Sequence, residues 1–164
     1  MNIINIDYFD YLDWPTIPNE LIETIQDILA KPPKSFSRIP STNKRFQTRY
    51  ISSHLQQWLD DLFHKRFFAQ YQVSREGLAI HKDLGPRLAA FNYIIHSGGE
   101  NVSTCFYDEN KNFTYSVIIE SNRWHRIKTD EYHNVKNLST DRLSLSLEFP
   151  DYRWNQSTDF LNRP

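Results

Sequence analysis

Residues 67–149 alternate apolar and polar side chains in short runs, and polar turns break the runs. Alternation of this kind puts one set of side chains on each face of a pleated strand. It predicts strands over residues 74–83, 87–95, 102–107, 113–119, 123–128, 132–135 and 142–149. The last is the most regular. Leu143, Leu145, Leu147 and Phe149 share one face, and Arg142, Ser144, Ser146 and Glu148 the other. The first 70 residues read differently. Leu21, Ile22, Ile25, Ile28 and Leu29 recur at helical spacing over residues 19–30, and Pro32-Pro33 ends the run. Residues 52–65 form a second amphipathic stretch, with Leu55, Trp58, Leu59, Leu62 and Phe63 on one side. Between these helices, residues 34–50 are polar and basic and read as a loop or an edge strand, and residues 151–164 read as a surface strap. Seven short strands without βαβ alternation predict a sandwich, jelly roll or barrel carrying two N-terminal helices.

Composition narrows the class. A chain of 164 residues suits one domain, because it buries roughly 70% of the surface it exposes when unfolded. Aromatics make up 15% of it, which argues against intrinsic disorder. Lys and Arg number 19 against 20 Asp and Glu, a balance that excludes a cationic nucleic-acid coat but not a local basic groove. The four glycines form neither GxGxxG nor GxxxxGK, which disfavours the usual nucleotide loops. Cys105 is the single cysteine and points to a reducing compartment. The N-terminus lacks a cationic stretch followed by an apolar one, and no run reaches bilayer length. The expectation is a cytoplasmic protein with no membrane partner.

Chemistry enters with His81-Lys82-Asp83. On a strand an imidazole and a carboxylate two residues apart project together, and they can hold a divalent metal but cannot complete its site. A third ligand has to come from another strand, and His133 is placed to supply it. Two His and one carboxylate on one face of an octahedral ion make the facial triad of non-haem iron sites. Alone, the HxD pattern is a weak signal, common by chance, and reads first as an exposed polar pair at a strand end. Arg142 offers a guanidinium fork that matches a carboxylate, with the Ser144 hydroxyl as a further donor. Residues 137–141 read as a turn, which would put His133 and Arg142 on adjacent strands of one hairpin.

His81-x-Asp83, His133 and Arg142-x-Ser144, in that order and spacing, resemble the Fe(II)/2-oxoglutarate-dependent dioxygenase superfamily. Asn92-Tyr93-Ile94-Ile95, Gly98-Gly99-Glu100, Cys105-Phe106-Tyr107 and Trp124-His125-Arg126-Ile127 are similar to its prolyl-4-hydroxylase-like branch. The resemblance covers residues 75–149. It implies a double-stranded β-helix, a cupin-like jelly roll, braced by two helices. It implies one dioxygenase domain over residues 1–164: a helical brace and substrate side to 70, a core over 71–150 and a strap over 151–164. His81, Asp83 and His133 would be the Fe(II) ligands, with 2-oxoglutarate and O2 as cosubstrates and hydroxylation of a C–H bond as the outcome. Arg142 would hold the far carboxylate, with help from Ser144, or from Ser146 on the same face. Tyr93 would donate to that carboxylate or be an ordinary barrel-interior aromatic. The retained carboxylate of Asp83 favours hydroxylation over halogenation.

The branch resemblance favours a peptide or protein side chain as prime substrate. The basic residues 34–49 leave a nucleic acid open, and a small molecule and a non-oxygenase metal-binding jelly roll are the remaining alternatives. His125 lies eight positions before His133 and reads as a satisfied structural histidine rather than a ligand, and His96 and His54 as surface residues. Arg87 reads either as a contact at the pocket mouth or as an outward ion-pair residue.

Overall fold

The computed structural model describes residues 7–35, 44–83 and 88–162. Within these residues, nine strands form two antiparallel sheets. In chain order they are β1 (Phe9–Tyr11), β2 (Phe46–Arg49), β3 (Phe68–Ser74), β4 (Ala89–His96), β5 (Ser103–Tyr107), β6 (Phe113–Val117), β7 (Trp124–Lys128), β8 (Tyr132–Lys136) and β9 (Arg142–Glu148). The large sheet runs β1-β7-β4-β9-β3-β2 and the small one β6-β5-β8. His81 pairs with His133 through an isolated antiparallel bridge, a one-residue remnant of a further strand beside β8. From β3 to β9 the chain therefore passes back and forth between two facing sheets, with β3-β9-β4-β7 opposed to the His81 segment, β8, β5 and β6. That order is a double-stranded β-helix, so the fold is mainly β, a jelly roll braced by N-terminal helices.

Two helices, α1 (Ile25–Ala30) and α2 (Ser53–Leu62), pack on the outer face of the large sheet. The sequence pattern gives the first helix too much length. A 3-10 turn over Asn19–Leu21 is followed by a restart at Thr24, whose side chain accepts from the Asp27 amide as an N-cap. Ser52 caps α2 in the same way through Leu55 N–H. Ile28, Leu55 and Leu59 meet Tyr71, Val73, Phe91, Tyr93, Leu143, Leu145 and Leu147 in one core. A second cluster, including Phe9, Ala90, Ile94, Phe106, Val117 and Ile127, fills the space between the sheets.

Residues 151–162 are a strap, but not a superficial one. Tyr152 and Phe160 are buried against Phe91 and Phe149. The Arg126 guanidinium stacks on Trp154 and donates to the Tyr152 hydroxyl and the Trp154 carbonyl. The basic segment contains an edge strand, β2, at one border of the large sheet. Two expectations are corrected. Residues 75–83 are not a strand, since β3 ends at Ser74 and only His81 keeps a ladder contact. His133 and Arg142 do not share a hairpin, because β8 belongs to the small sheet and β9 to the large one. The crossover between them is pinned by the Gly98 carbonyl, which accepts from the Ser139 and Thr140 amides. Gly98 itself has φ +86, and a Cβ there would lie 2.6 Å from Leu138 Cδ2, so no other residue fits this anchor without displacement. Arg87 and residues 36–43 lie outside the described residues. Among the described residues no helix is long and apolar enough to cross a membrane.

Candidate metal centre and ligand cleft

The crossover places β8 and β9 on opposite walls of a cleft between the sheets. His81 and His133 exchange backbone hydrogen bonds, His81 N–H to His133 O at 3.1 Å and His133 N–H to His81 O at 2.7 Å. Their rings therefore stand side by side, centroids 4.5 Å apart. The Asp83 amide donates to Thr129 O at 2.8 Å, which ties the carboxylate segment to the loop before β8. One ligand atom from each of His81, Asp83 and His133 lies within 4.8 Å of the other two.

Local hydrogen bonds set the tautomer of both imidazoles. His81 Nδ1 faces Ala79 O at 2.9 Å and His133 Nδ1 faces Glu131 O at 2.8 Å. A carbonyl can only accept, so each Nδ1 carries the proton and each Nε2 carries the lone pair. Metal-bound histidines are oriented by this kind of outer contact. The donor set of two imidazoles and a carboxylate suits Fe(II), and three protein ligands leave open positions on an octahedral ion.

Arg142, Ser144, Thr104, Asn92 and His125 line the same cleft as His81 and His133. Arg142 is 8% exposed and donates to Thr104 Oγ1 at 3.4 Å. No carboxylate among the described residues lies within ion-pair distance of it, and burial pulls its guanidinium down to about 10. A buried cation without a counter-ion is costly, and a bound anion would offset that cost.

The structure separates the remaining site residues of the sequence reading. Ser144 lines the cleft beside Arg142, whereas Ser146 lies deeper on the same face and does not line it. Tyr93 is not in the cleft. β4 alternates, so Phe91 and Tyr93 face the helices; the Tyr93 ring packs on Trp124 at 5.2 Å and its hydroxyl lies against the Ile17 backbone. The cleft position on that strand belongs to Asn92. His125 is not the satisfied histidine of the sequence reading. It is 1% exposed, its Nδ1 faces Arg123 O at 3.3 Å, and its Nε2 has no hydrogen-bond partner among the described residues. Burial first and the nearby Arg142 charge second push its imidazole down to about 3, which keeps it neutral. Asn92 was within reach of the sequence, since it interrupts the otherwise apolar run of residues 88–95. His96 is tied to the Asp141 carbonyl through Nδ1, and His54 sits on the exposed side of α2.

No family model matches the chain, and no curated protein matches its sequence. Among solved structures, a Pseudomonas putida prolyl-4-hydroxylase is similar over 64% of this chain and 68% of its own, at 14% identity and a TM-score of 0.47. Likeness at that level leaves the functional reading to this chain's own residues.

Proposed function

We propose that the protein is an Fe(II)- and 2-oxoglutarate-dependent dioxygenase that hydroxylates a C–H bond, on a peptide or protein side chain. The observation that carries this reading is the His81/Asp83/His133 cluster, whose histidines line one cleft with a buried arginine that has no counter-ion among the described residues. An isomerase or hydrolase using the same three ligands has no need of a buried carboxylate clamp.

His81 and His133 would hold the metal through Nε2, each ring fixed by its Nδ1 donation to a carbonyl, and Asp83 would supply the anionic ligand. The metal would supply the redox chemistry that couples oxidation of 2-oxoglutarate by O2 to hydroxylation of the substrate. Arg142 binds the remote carboxylate and replaces its water with a fixed charge, and Ser144 and Thr104 stand beside it as hydroxyl donors. The sheets exclude solvent from that end, so the Arg142–carboxylate attraction acts where water screens it least. His81, at the remnant strand, is less buried than His133, so these residues would hold a metal toward the more open side of the cluster. The peptide preference rests on the resemblance of the residue pattern.

The test is conversion of 2-oxoglutarate to succinate under air, with Fe(II) and a pool of peptides. Fe(II)-dependent succinate that rises with peptide and disappears in His133→Ala is expected. Succinate formation that survives in His133→Ala would refute the metal assignment, and stimulation by single-stranded nucleic acid but not peptide would refute the substrate class.

A further inference from the structure

Buried polar atoms in folded proteins are nearly always hydrogen-bonded, and each exception calls for a reason. Two exceptions fall within the one cleft: Asn92 Oδ1 and His125 Nε2. Asn92 is 7% exposed, and no hydrogen bond among the described residues fixes its amide. The two residues are direct cross-strand partners, Asn92 on β4 opposite His125 on β7. Side chains so paired on one face stand roughly 4.5–5.5 Å apart at Cβ, close enough for an amide N–H to reach an imidazole nitrogen. β4 is also the neighbour of β9, where Arg142 and Ser144 project from the same inner face.

The amide of asparagine has two N–H groups, and a neutral imidazole with a protonated Nδ1 is an acceptor at Nε2. We infer that Asn92 is a binding residue for the ligand carboxylate held by Arg142, donating one amide N–H to that carboxylate and the other to His125 Nε2. His125 acts through Asn92 and is a positioning residue. It turns the amide so that Nδ2, not Oδ1, meets the anion, which a carboxylate requires because it only accepts. In that arrangement one amide N–H fills the orphaned His125 Nε2 and the other meets the anion beside Arg142. The Arg123 carbonyl at His125 Nδ1 and the burial of the ring keep Nε2 unprotonated, as an acceptor must be. The position a tyrosine was expected to fill from β4 is thereby taken by its neighbour on the opposite face. This inference rests on the cosubstrate reading above.

Replacing an unsatisfied buried polar group by an apolar one of similar shape is neutral or stabilising for a protein alone. Ligand binding and stability should therefore separate. The experiment titrates 2-oxoglutarate into Fe(II)-loaded protein without O2 by calorimetry, and measures the Tm of each ligand-free variant. Asn92→Leu should weaken binding by about tenfold or more, the worth of one hydrogen bond to a charged group, while Tm stays level or rises. Asn92→Asp, which keeps the shape but removes both donors and adds a like charge, should weaken it at least as much, and it keeps the inference testable if the leucine variant does not fold. His125→Phe should weaken binding less, and should add nothing in the Asn92→Leu background. Unchanged affinity in both Asn92 variants would overturn the inference, as would independent, multiplying losses from Asn92→Leu and His125→Phe. If Arg142→Met leaves affinity unchanged, the cosubstrate reading itself fails, which is a distinct result.

Discussion

The two faces of the large sheet are made by the same strands and built on opposite rules. Toward the helices, β9 presents Leu143, Leu145 and Leu147, β4 presents Phe91 and Tyr93, and β7 presents Trp124, all in one apolar core. Toward the small sheet the same strands present Arg142 and Ser144, Asn92, and His125 to a cleft. On the helix side the indole N–H of Trp124 donates to Pro15 O and that of Trp14 to Thr158 O. On the cleft side, among the described residues, the Arg142 guanidinium has no counter-ion, and Asn92 Oδ1 and His125 Nε2 have no hydrogen-bond partner. A fold can leave buried polar groups unmatched only where other packing offsets the cost. The difference teaches that the helix face is closed by apolar packing, whereas the cleft face carries the polar groups that the proposed ligands would meet.

Substitutions can break that division of labour, and the largest effect is expected at the metal cluster. His133→Ala or Asp83→Ala should abolish stoichiometric Fe(II) binding, read by anaerobic calorimetry, with Tm of the metal-free protein little changed. Retained one-to-one binding would mean that the three residues do not form the site.

Next comes the helix face. Leu145 is fully buried, and Leu145→Ala should cost about 2–5 kcal/mol through lost burial and the cavity left behind. For a chain of this size that lowers Tm by roughly 2–4 °C per kcal/mol. At a temperature where the variant is still folded, its 2-oxoglutarate affinity should match wild type.

A smaller effect, and a sharper one for the comparison, is the acid limb of stability. The folded His125 imidazole sits at about 3 against an ordinary 6.5, so the unfolded chain binds a proton that the folded one refuses. Stability from this residue is whole above about pH 6.5 and is lost as pH falls toward 3. The fall in Tm of the metal-free protein between pH 6.5 and 4 should therefore be shallower in His125→Phe. Equal slopes would show that His125 is not held neutral.

The smallest effect belongs to the rim. Arg75 grips both Asp141 oxygens, Nε to Oδ1 and Nη2 to Oδ2, each at 3.1 Å. The pair is about one-third exposed, so Arg75→Ala should cost no more than about 1 kcal/mol, less in high salt. A larger loss in thermal melts would make Asp141, the residue before Arg142, a structural anchor of the cleft.

Much of this division was legible in the chain. The alternation of residues 142–149 sorted Arg142 and Ser144 from the leucines correctly, and the order His81, Asp83, His133, Arg142 named the cleft residues that the fold brings together. The rest failed for physical reasons. Strand alternation gives faces but not which sheet a strand joins, so the β8–β9 crossover read as a hairpin. Helical spacing over residues 19–30 could not show that Thr24 caps a second start. Tyr93 and Asn92 are adjacent, and only the direction of the β4 pleat decides which of them faces the cleft. That His125 Nε2 lacks a partner depends on three-dimensional surroundings that no local pattern carries.

The central claim is that one cleft holds both an Fe(II) site and a carboxylate clamp. Its most direct test is the visible charge-transfer band formed when 2-oxoglutarate is titrated into Fe(II)-loaded protein without O2, in wild type and in Arg142→Met. The account predicts a saturable band in wild type and a titration in Arg142→Met shifted to at least tenfold higher 2-oxoglutarate, the worth of a charge-assisted hydrogen bond. Superimposable titrations, or no band in the Fe(II)-loaded wild type, would contradict it.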